Sequence, residues 1–163
     1  MKKIVLIAFL LAAYLGNAQA FTGKDDKKLF VGANLQENAT GITIGLDYGM
    51  GENISLGISS AYALNLSNDL TADFVDRFDL RGRFNANLGN VLNISDNLDV
   101  YPGLSLGLKN FGGHFGIRYL FTSGFGVYSE VGTTFAKYNT DNLTEAEQIH
   151  NQFVANIGAI FNL

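Results

Sequence analysis

Cysteine and tryptophan are absent from this 163-residue chain, and proline occurs once, at position 102. Without cysteine there is no disulfide framework, no thiolate nucleophile and no cysteine-based metal site. Stability must come from burial and from backbone hydrogen bonds. Charge is also sparse: charged residues make up 16% of the chain, acidic outnumber basic by 15 to 11, and no basic run exists. That balance argues against nucleic acid as a partner. Histidine occurs only at His114 and His150, without the paired spacing of a metal site, so no metal or cofactor is expected. Missing too is an apolar run of the roughly 20 residues that a membrane-spanning helix needs. The longest, residues 4–14, follows Lys2 and Lys3 and precedes Ala18-Gln19-Ala20. A basic start, a short apolar core and an A-x-A site make residues 1–20 a secretory signal peptide, with cleavage expected after Ala20. Residues 21–163 then form one domain.

What the chain has in quantity is glycine, 19 residues, beside a 47% hydrophobic content that excludes disorder. The hydrophobic residues recur with period two. In residues 40–64, Ile42, Ile44, Leu46 and Tyr48 share one parity. After a Gly49-Met50-Gly51-Glu52-Asn53 break, Ile54, Leu56, Ile58 and Tyr62 hold one face again, which is a β-hairpin signal. The alternation continues through residues 29–36, 74–88, 98–109, 115–121, 125–135 and 153–163. Eight strands result, most of them near the 9–11 residues or so of a tilted membrane strand. If they run up and down, connections 49–53, 89–97 and 122–124 lie on the side of both termini. Connections 37–40, 65–73, 110–113 and 136–149 lie opposite. In the last of these, Thr144-Glu145-Ala146-Glu147 has the spacing of a capping box and predicts a short helical turn. Pro102 removes a ladder donor inside the fifth strand, so a bulge at Tyr101-Pro102 or a strand start there is expected.

Alternation alone does not say which face points inward, since soluble and membrane barrels share it. Glycine placement is the first guide: Gly32, Gly45, Gly57, Gly103, Gly107, Gly116, Gly126, Gly132 and Gly158 all fall on the polar face. Inside a narrow barrel, small side chains make room for large ones. Charge is the second: Arg77, Arg81, Arg83, Arg118 and Lys109 share that face with Asp47, Asp79, Asp99 and Glu130. Five positive against four negative charges nearly cancel, as an enclosed network must. The third is aromatic: Tyr48, Tyr62, Phe74, Tyr119, Phe121, Phe125 and Phe135 sit near the ends of apolar faces, where interfacial girdles belong. The apolar face therefore meets lipid. With no water there the sheet must close, and the expected fold is all-β, an eight-stranded antiparallel up-and-down transmembrane β-barrel.

So placed, residues 29–163 resemble the small eight-stranded outer-membrane barrels of the OmpA/OmpX-like class. The stretches GIRYLFTSGFGVYSEVG and DVYPGLSLG resemble uncharacterised small outer-membrane barrels of flavobacteria more particularly. The resemblance implies a bacterial outer-membrane location, outer-membrane lipids as surroundings and the barrel-assembly machinery as a partner during insertion. Such barrels commonly end on an aromatic assembly signal, whereas this chain ends Phe161-Asn162-Leu163.

Little here points to catalysis. No serine lies at a short strand-compatible spacing from either histidine, so a triad would need distant partners. Gly124-Phe125-Gly126 and Gly49-Met50-Gly51 lack the strand-to-helix context of a phosphate-binding loop and read as turns. The site-like constellation is the interior network of Asp47, Arg77, Asp79, Arg81, Arg83, Asp99, Lys109, Arg118 and Glu130, expected as a structural plug or a gate. Arg118 and Glu130 lie symmetrically about Gly124, which predicts that they pair across the hairpin, with Arg83 reaching Glu130 or Asp99. The expected role is non-enzymatic: membrane structure, or surface interaction with an extracellular ligand through loops 65–73 and 136–149. The alternatives are a narrow ion channel, a lipid-modifying outer-membrane enzyme and a soluble periplasmic ligand-binding barrel.

Overall fold

In the computed structural model, which describes residues 18–67, 70–140 and 143–163, eight antiparallel strands close into a barrel. The strands are β1 (Lys27–Gln36), β2 (Ala39–Gly49), β3 (Ile54–Leu66), β4 (Phe78–Ala86), β5 (Leu98–Gly107), β6 (Asn110–Leu120), β7 (Phe125–Lys137) and β8 (Val154–Asn162). Each pairs with its sequence neighbours, and β1 pairs with β8 to seal the cylinder. Two helical turns, α1 (Phe74–Arg77) and α2 (Gly89–Leu92), precede and follow β4. The predicted signal peptide lies outside the described residues up to position 17, as do positions 68–69 and 141–142 of the two long loops.

Burial settles the orientation of the faces. Ile42, Ile44, Leu56, Ile58, Leu104, Phe115 and Ile157 are exposed, while Asp47, Asp79, Arg83, Asp99, Arg118 and Glu130 are buried. The wall thus carries its aliphatic residues outward and its charges inward, the reverse of a soluble core. Aromatic residues gather at both rims. On the side of the termini, Tyr119, Phe121, Phe125 and Phe161 follow one another with ring centroids 5.5, 6.0 and 5.6 Å apart. At the other rim Phe74 lies 5.5 Å from Tyr62 and stacks on Phe78 at 5.8 Å, and Phe111 meets Phe135 edge-on at 6.0 Å.

Inside, glycine makes room as its placement predicted. A Cβ on Gly116 would lie 2.2 Å from the Tyr101 ring, and one on Gly45 would lie 2.2 Å from the ring of Phe30. Pro102 stays within β5 opposite Phe115. The β4–β5 ladder spans only Arg81–Asn85 against Gly107–Gly103, so it stops one residue short of the proline. The Val100 carbonyl accepts from Leu88 on the β4 side. Since the backbone alternates, the Pro102 nitrogen faces the same way, where no ladder partner awaits. The expected bulge is not what accommodates it.

Among the boundaries that differ from the sequence reading, two change the kind of element. Phe74 does not begin a strand: Asp73 caps α1, its backbone N–H donating to Asp76, and Phe74 and Phe78 stack over one helical turn. A Phe-x-x-x-Phe spacing satisfies both periods, and the cap decides between them. Residues 110–113 are not a loop but the start of β6, which reaches a tight turn at residues 108–109. Phe135 covers Gly113 from the outer face, its ring 2.4 Å from where a Cβ would stand. A glycine pair that reads as a turn is here a strand under an aromatic ring. The capping box expected at Thr144 is present, with Thr144 N–H and hydroxyl on Glu147 at 2.8 and 2.9 Å, and it opens a single turn.

Depth in the membrane follows from strand position. Ile44 stands at the centre of the 11-residue β2, whereas Leu106 lies beside the 108–109 turn although both are exposed. Ile44→Arg should cost about 2–4 kcal/mol and Leu106→Arg about 0–1 kcal/mol in lipid. Denaturant titration of refolded protein in vesicles measures both, and equal costs would refute this assignment of depth.

Candidate functional site: the charged lumen

The lumen is filled from one rim to the other by paired polar groups. At the terminus-side end, residues 21–26, which follow the expected cleavage site, cross the opening. Phe21 is buried, and Asn90 donates to its carbonyl at 3.2 Å. Phe30, Leu120, Tyr128 and Ile160 form a small apolar cluster in which Ala18 and Ala20 also pack in the uncleaved chain. Beside this cork the Lys28 ammonium lies 2.5 Å from Asp26 and donates to Asn162 at 3.0 Å.

Above it, Arg118 donates to Asn87 at 2.7 Å, pairs with Asp99 at 2.7 Å and lies 3.9 Å from Asp47. Its guanidinium also lies over the rings of Tyr101 and Phe21, at 5.0 and 5.5 Å. One step further, Arg83 holds Glu130 through both nitrogens, at 3.0 and 2.6 Å, and turns its Nε to Asp47 at 3.2 Å. Asp47 thus links the two arginines. Phe30 lies beneath Arg83, its ring centroid 4.8 Å from the guanidinium carbon. Low dielectric strengthens each pair and makes a stranded charge costly, which is why the groups occur as a closed set.

The next layer is uncharged. Ser105 lies 2.7 Å from His114 Nδ1, His114 Nε2 lies 2.7 Å from the Asn85 side-chain oxygen Oδ1, and Asn85 donates to Ser55 at 3.1 Å. Asn34 donates to Asn156 at 2.7 Å and accepts from Gln36 at 2.6 Å. A cavity of about 30 Å³ opens here, walled by Asp79, Arg81, Ser105, His114, Glu130 and His150 among others. At the far rim Asp79 pairs with Arg81, and Arg81 donates to the His150 carbonyl at 2.8 Å. Lys109, in the β5–β6 turn, donates to the Asp76 carbonyl at 2.8 Å, and burial holds its ammonium below the ordinary lysine range.

Seven of the nine residues expected inside (Asp47, Asp79, Arg81, Arg83, Asp99, Arg118 and Glu130) stand in the lumen or its mouth. Two do not join the network. Arg77 belongs to α1 and donates to the Ala72 and Leu64 carbonyls, and Lys109 sits on the rim. The expected Arg118–Glu130 pair does not form. The β6–β7 register sets Arg118 opposite Tyr128 and Glu130 opposite Gly116, because the hairpin turns about Ser123 rather than Gly124. Glu130 instead takes Arg83 from across the barrel, and Arg118 takes Asp99 from the neighbouring strand. Asp26 and Lys28 were missed. Lys28 shares parity with Phe30, and β1 starts two residues earlier than the alternation suggested.

The Ser105–His114–Asn85 chain was also not foreseen. Its three residues come from adjacent strands, and it has the order of a nucleophile, a base and an orienting group. It lies inside the wall, however, with Ser105 6% and His114 8% exposed, facing a space of about 30 Å³. That space holds about two waters, not an acyl chain.

The fold has solved counterparts. A de novo designed transmembrane β-barrel matches with a TM-score of 0.59 and 11% identity, over 87% of this chain and 98% of the other. The N-terminal β-barrel domain of Pseudomonas aeruginosa OprF matches with a TM-score of 0.55 and 10% identity, over 87% of this chain and 100% of the domain. A comparison with curated proteins finds no match. A family model described as a family of unknown function, DUF6646, matches residues 11–163.

The pairing makes a thermodynamic cycle decisive. Arg83→Met and Glu130→Gln should each cost about 3–5 kcal/mol by stranding a buried partner. The double variant should cost less than their sum by well over 0.5 kcal/mol or so. Arg118→Met with Glu130→Gln should come much closer to additive. Urea unfolding in detergent or lipid reads all five variants, and an additive Arg83/Glu130 cycle would show that this contact contributes no coupling.

Proposed function

The chain belongs to this family of unknown function, and we propose that it is a bacterial outer-membrane barrel whose lumen is a structural plug and whose role is exercised at the membrane and at the cell surface. The observation that supports this reading is the pairing of an aliphatic outer wall with a lumen in which ionised side chains meet partners of opposite sign. Such a wall is stable only against hydrocarbon, which disfavours a soluble periplasmic barrel. The signal peptide read from residues 1–20 supplies the route of export, and the barrel-assembly machinery is the expected partner during insertion.

A plug fits the interior better than an ion path. Four cationic side chains (Lys28, Arg81, Arg83 and Arg118) stand among five anionic ones (Asp26, Asp47, Asp79, Asp99 and Glu130). Bidentate and bridged contacts leave no row of like charges for an ion to follow. Both ends are covered as well, by residues 21–26, which remain after the expected cleavage, and by the segment around His150. A lipid-modifying enzyme would need its nucleophile against the lipid face, whereas Ser105 faces inward. The proposed interaction surface is formed by the loops 65–73 and 136–149 on the side opposite the termini, with an extracellular ligand as the proposed partner.

Protease-site tags test the placement. A tag at Thr140 should be cut on intact cells, and one at Ser123 should be cut only after the outer membrane is breached. In planar bilayers the purified protein should give no discrete conductance steps. Equal protection of both tags would sink the orientation, and steady unitary currents would sink the plug.

A further inference from the structure

The segment 143–152 does not stand away from the barrel but turns down into its mouth. Ile149 is 1% exposed, packed with Ala39 and Ala63 and flanked by Leu66, Leu70 and Ala72. His150 follows it to the top of the 30 Å³ cavity. We propose that this segment is a pH-released lid over a hydrated chamber, with His150 as the key that holds it shut only while its ring is neutral.

The hydrogen bonds of His150 assign one protonation state. Its Nε2 lies 2.8 Å from the Arg77 carbonyl, which can only accept, so Nε2 carries hydrogen. Its Nδ1 lies 3.0 Å from the Gln36 amide nitrogen, while the Gln36 oxygen is engaged by His150 N–H at 2.9 Å. Nδ1 therefore accepts and is bare, and the ring is neutral. A proton added at Nδ1 would face the amide N–H₂ of Gln36, donor against donor. The backbone adds to the lock: the His150 carbonyl accepts from Arg81 and from Asn110, both at 2.8 Å. His150 also holds φ at +69°, a left-handed conformation that is uncommon for a residue with a side chain.

Charges of both signs stand around the ring, and burial outweighs them. From β4 come Arg81 and Asp79, from α1 Arg77 and Asp76, and from the β5–β6 turn Lys109; β1 and β6 contribute the neutral Gln36 and Asn110. The nearby acid of the lid itself, Glu147, is engaged by Thr144. Burial, as the largest cause, lowers His150 from 6.5 to about 4; the Arg77 carbonyl and Asp79 oppose it, and Lys109 and Arg81 reinforce it. The sign follows from linkage. A histidine that titrates lower when docked than when free favours docking in full above 6.5, and that contribution fades as pH falls toward about 4.

Beneath the lid the chamber suits water. Its wall includes Ser59, Asp79, His114 and Asn156, and Asp79 Oδ1 has no hydrogen-bond partner among the described residues. A cavity of about 30 Å³ admits about two waters, which a polar wall would bind. The charged plug below stays in place when the lid leaves, so release exposes the chamber and not a pore.

The absence of cysteine makes the test direct. Ser59→Cys places a sole thiol in the chamber wall, and 2,2′-dithiodipyridine, which reacts with thiols in acid, reports its access. Rates are divided by those of the unfolded chain at each pH, to remove the reagent's own pH dependence. The normalised rate should rise roughly a hundred-fold as pH falls from 6.5 to about 4. Gln36→Glu, which offers a carboxylate to the Nδ1 proton, should move that rise to lower pH. In His150→Gln the rate should lose its pH dependence, whether the lid then sits closed or open. A flat rate in the Ser59→Cys protein overturns the proposal. So does a rise that stays at the same pH in all three backgrounds, since the proton would then act elsewhere.

Discussion

A backbone in hydrocarbon has no water to satisfy its N–H and C=O groups, and everything in this fold depends on that constraint. Each strand must find two neighbours, so β1 has to meet β8, and once eight strands close, the lumen is narrow. Closure also explains how the single proline is tolerated. A barrel has no edge on which to place a missing donor, so the β4–β5 ladder ends at Asn85 and Gly103, and α2 takes the chain away from Pro102. The barrel closes around a locally open seam near one rim, where the missing bond costs least.

Narrowness then dictates the content of the lumen. Large side chains fit only opposite glycine, as Tyr101 against Gly116 and Phe30 against Gly45 do. Ionised side chains fit only as members of a neutralising set, and Asp47 lets two arginines share one acid while each keeps a second partner. Aromatic rings beneath the guanidinium groups fill space that water would otherwise claim and add cation–π attraction. The result is an interior that is polar in composition and solid in packing. The two ends are closed by other parts of the chain, residues 21–26 at one and residues 143–152 at the other.

Alternation of apolar and polar residues, together with glycines and arginines confined to one parity, made the membrane barrel legible without coordinates. Ile42, Ile44 and Leu46 announce an outward face because period two admits one geometry. The same rule misread Phe74, where a spacing of four satisfies strand and helix alike and only the Asp73 cap selects the helix. It also misread Gly112-Gly113, because glycine marks a turn in one setting and a seat for Phe135 in another. Register was the least legible quantity. A one-residue error in the centre of the β6–β7 turn displaced the partner of Glu130 by two positions, from Arg118 to Gly116.

By itself, then, the sequence determined the strand number, the inside-out polarity and the set of charges that had to be neutralised, because each is a property of local periodicity and composition. Tertiary structure alone decided who pairs with whom. Arg83 and Glu130 are 47 positions apart, His150 and Gln36 are 114 apart, and both contacts span the lumen or its mouth. Strand tilt, turn register and barrel closure jointly fix distances of that kind, and no local pattern encodes their product. Covering the ends was likewise beyond local reading: Phe21 and Ile149 look like ordinary loop residues until the cylinder exists for them to close.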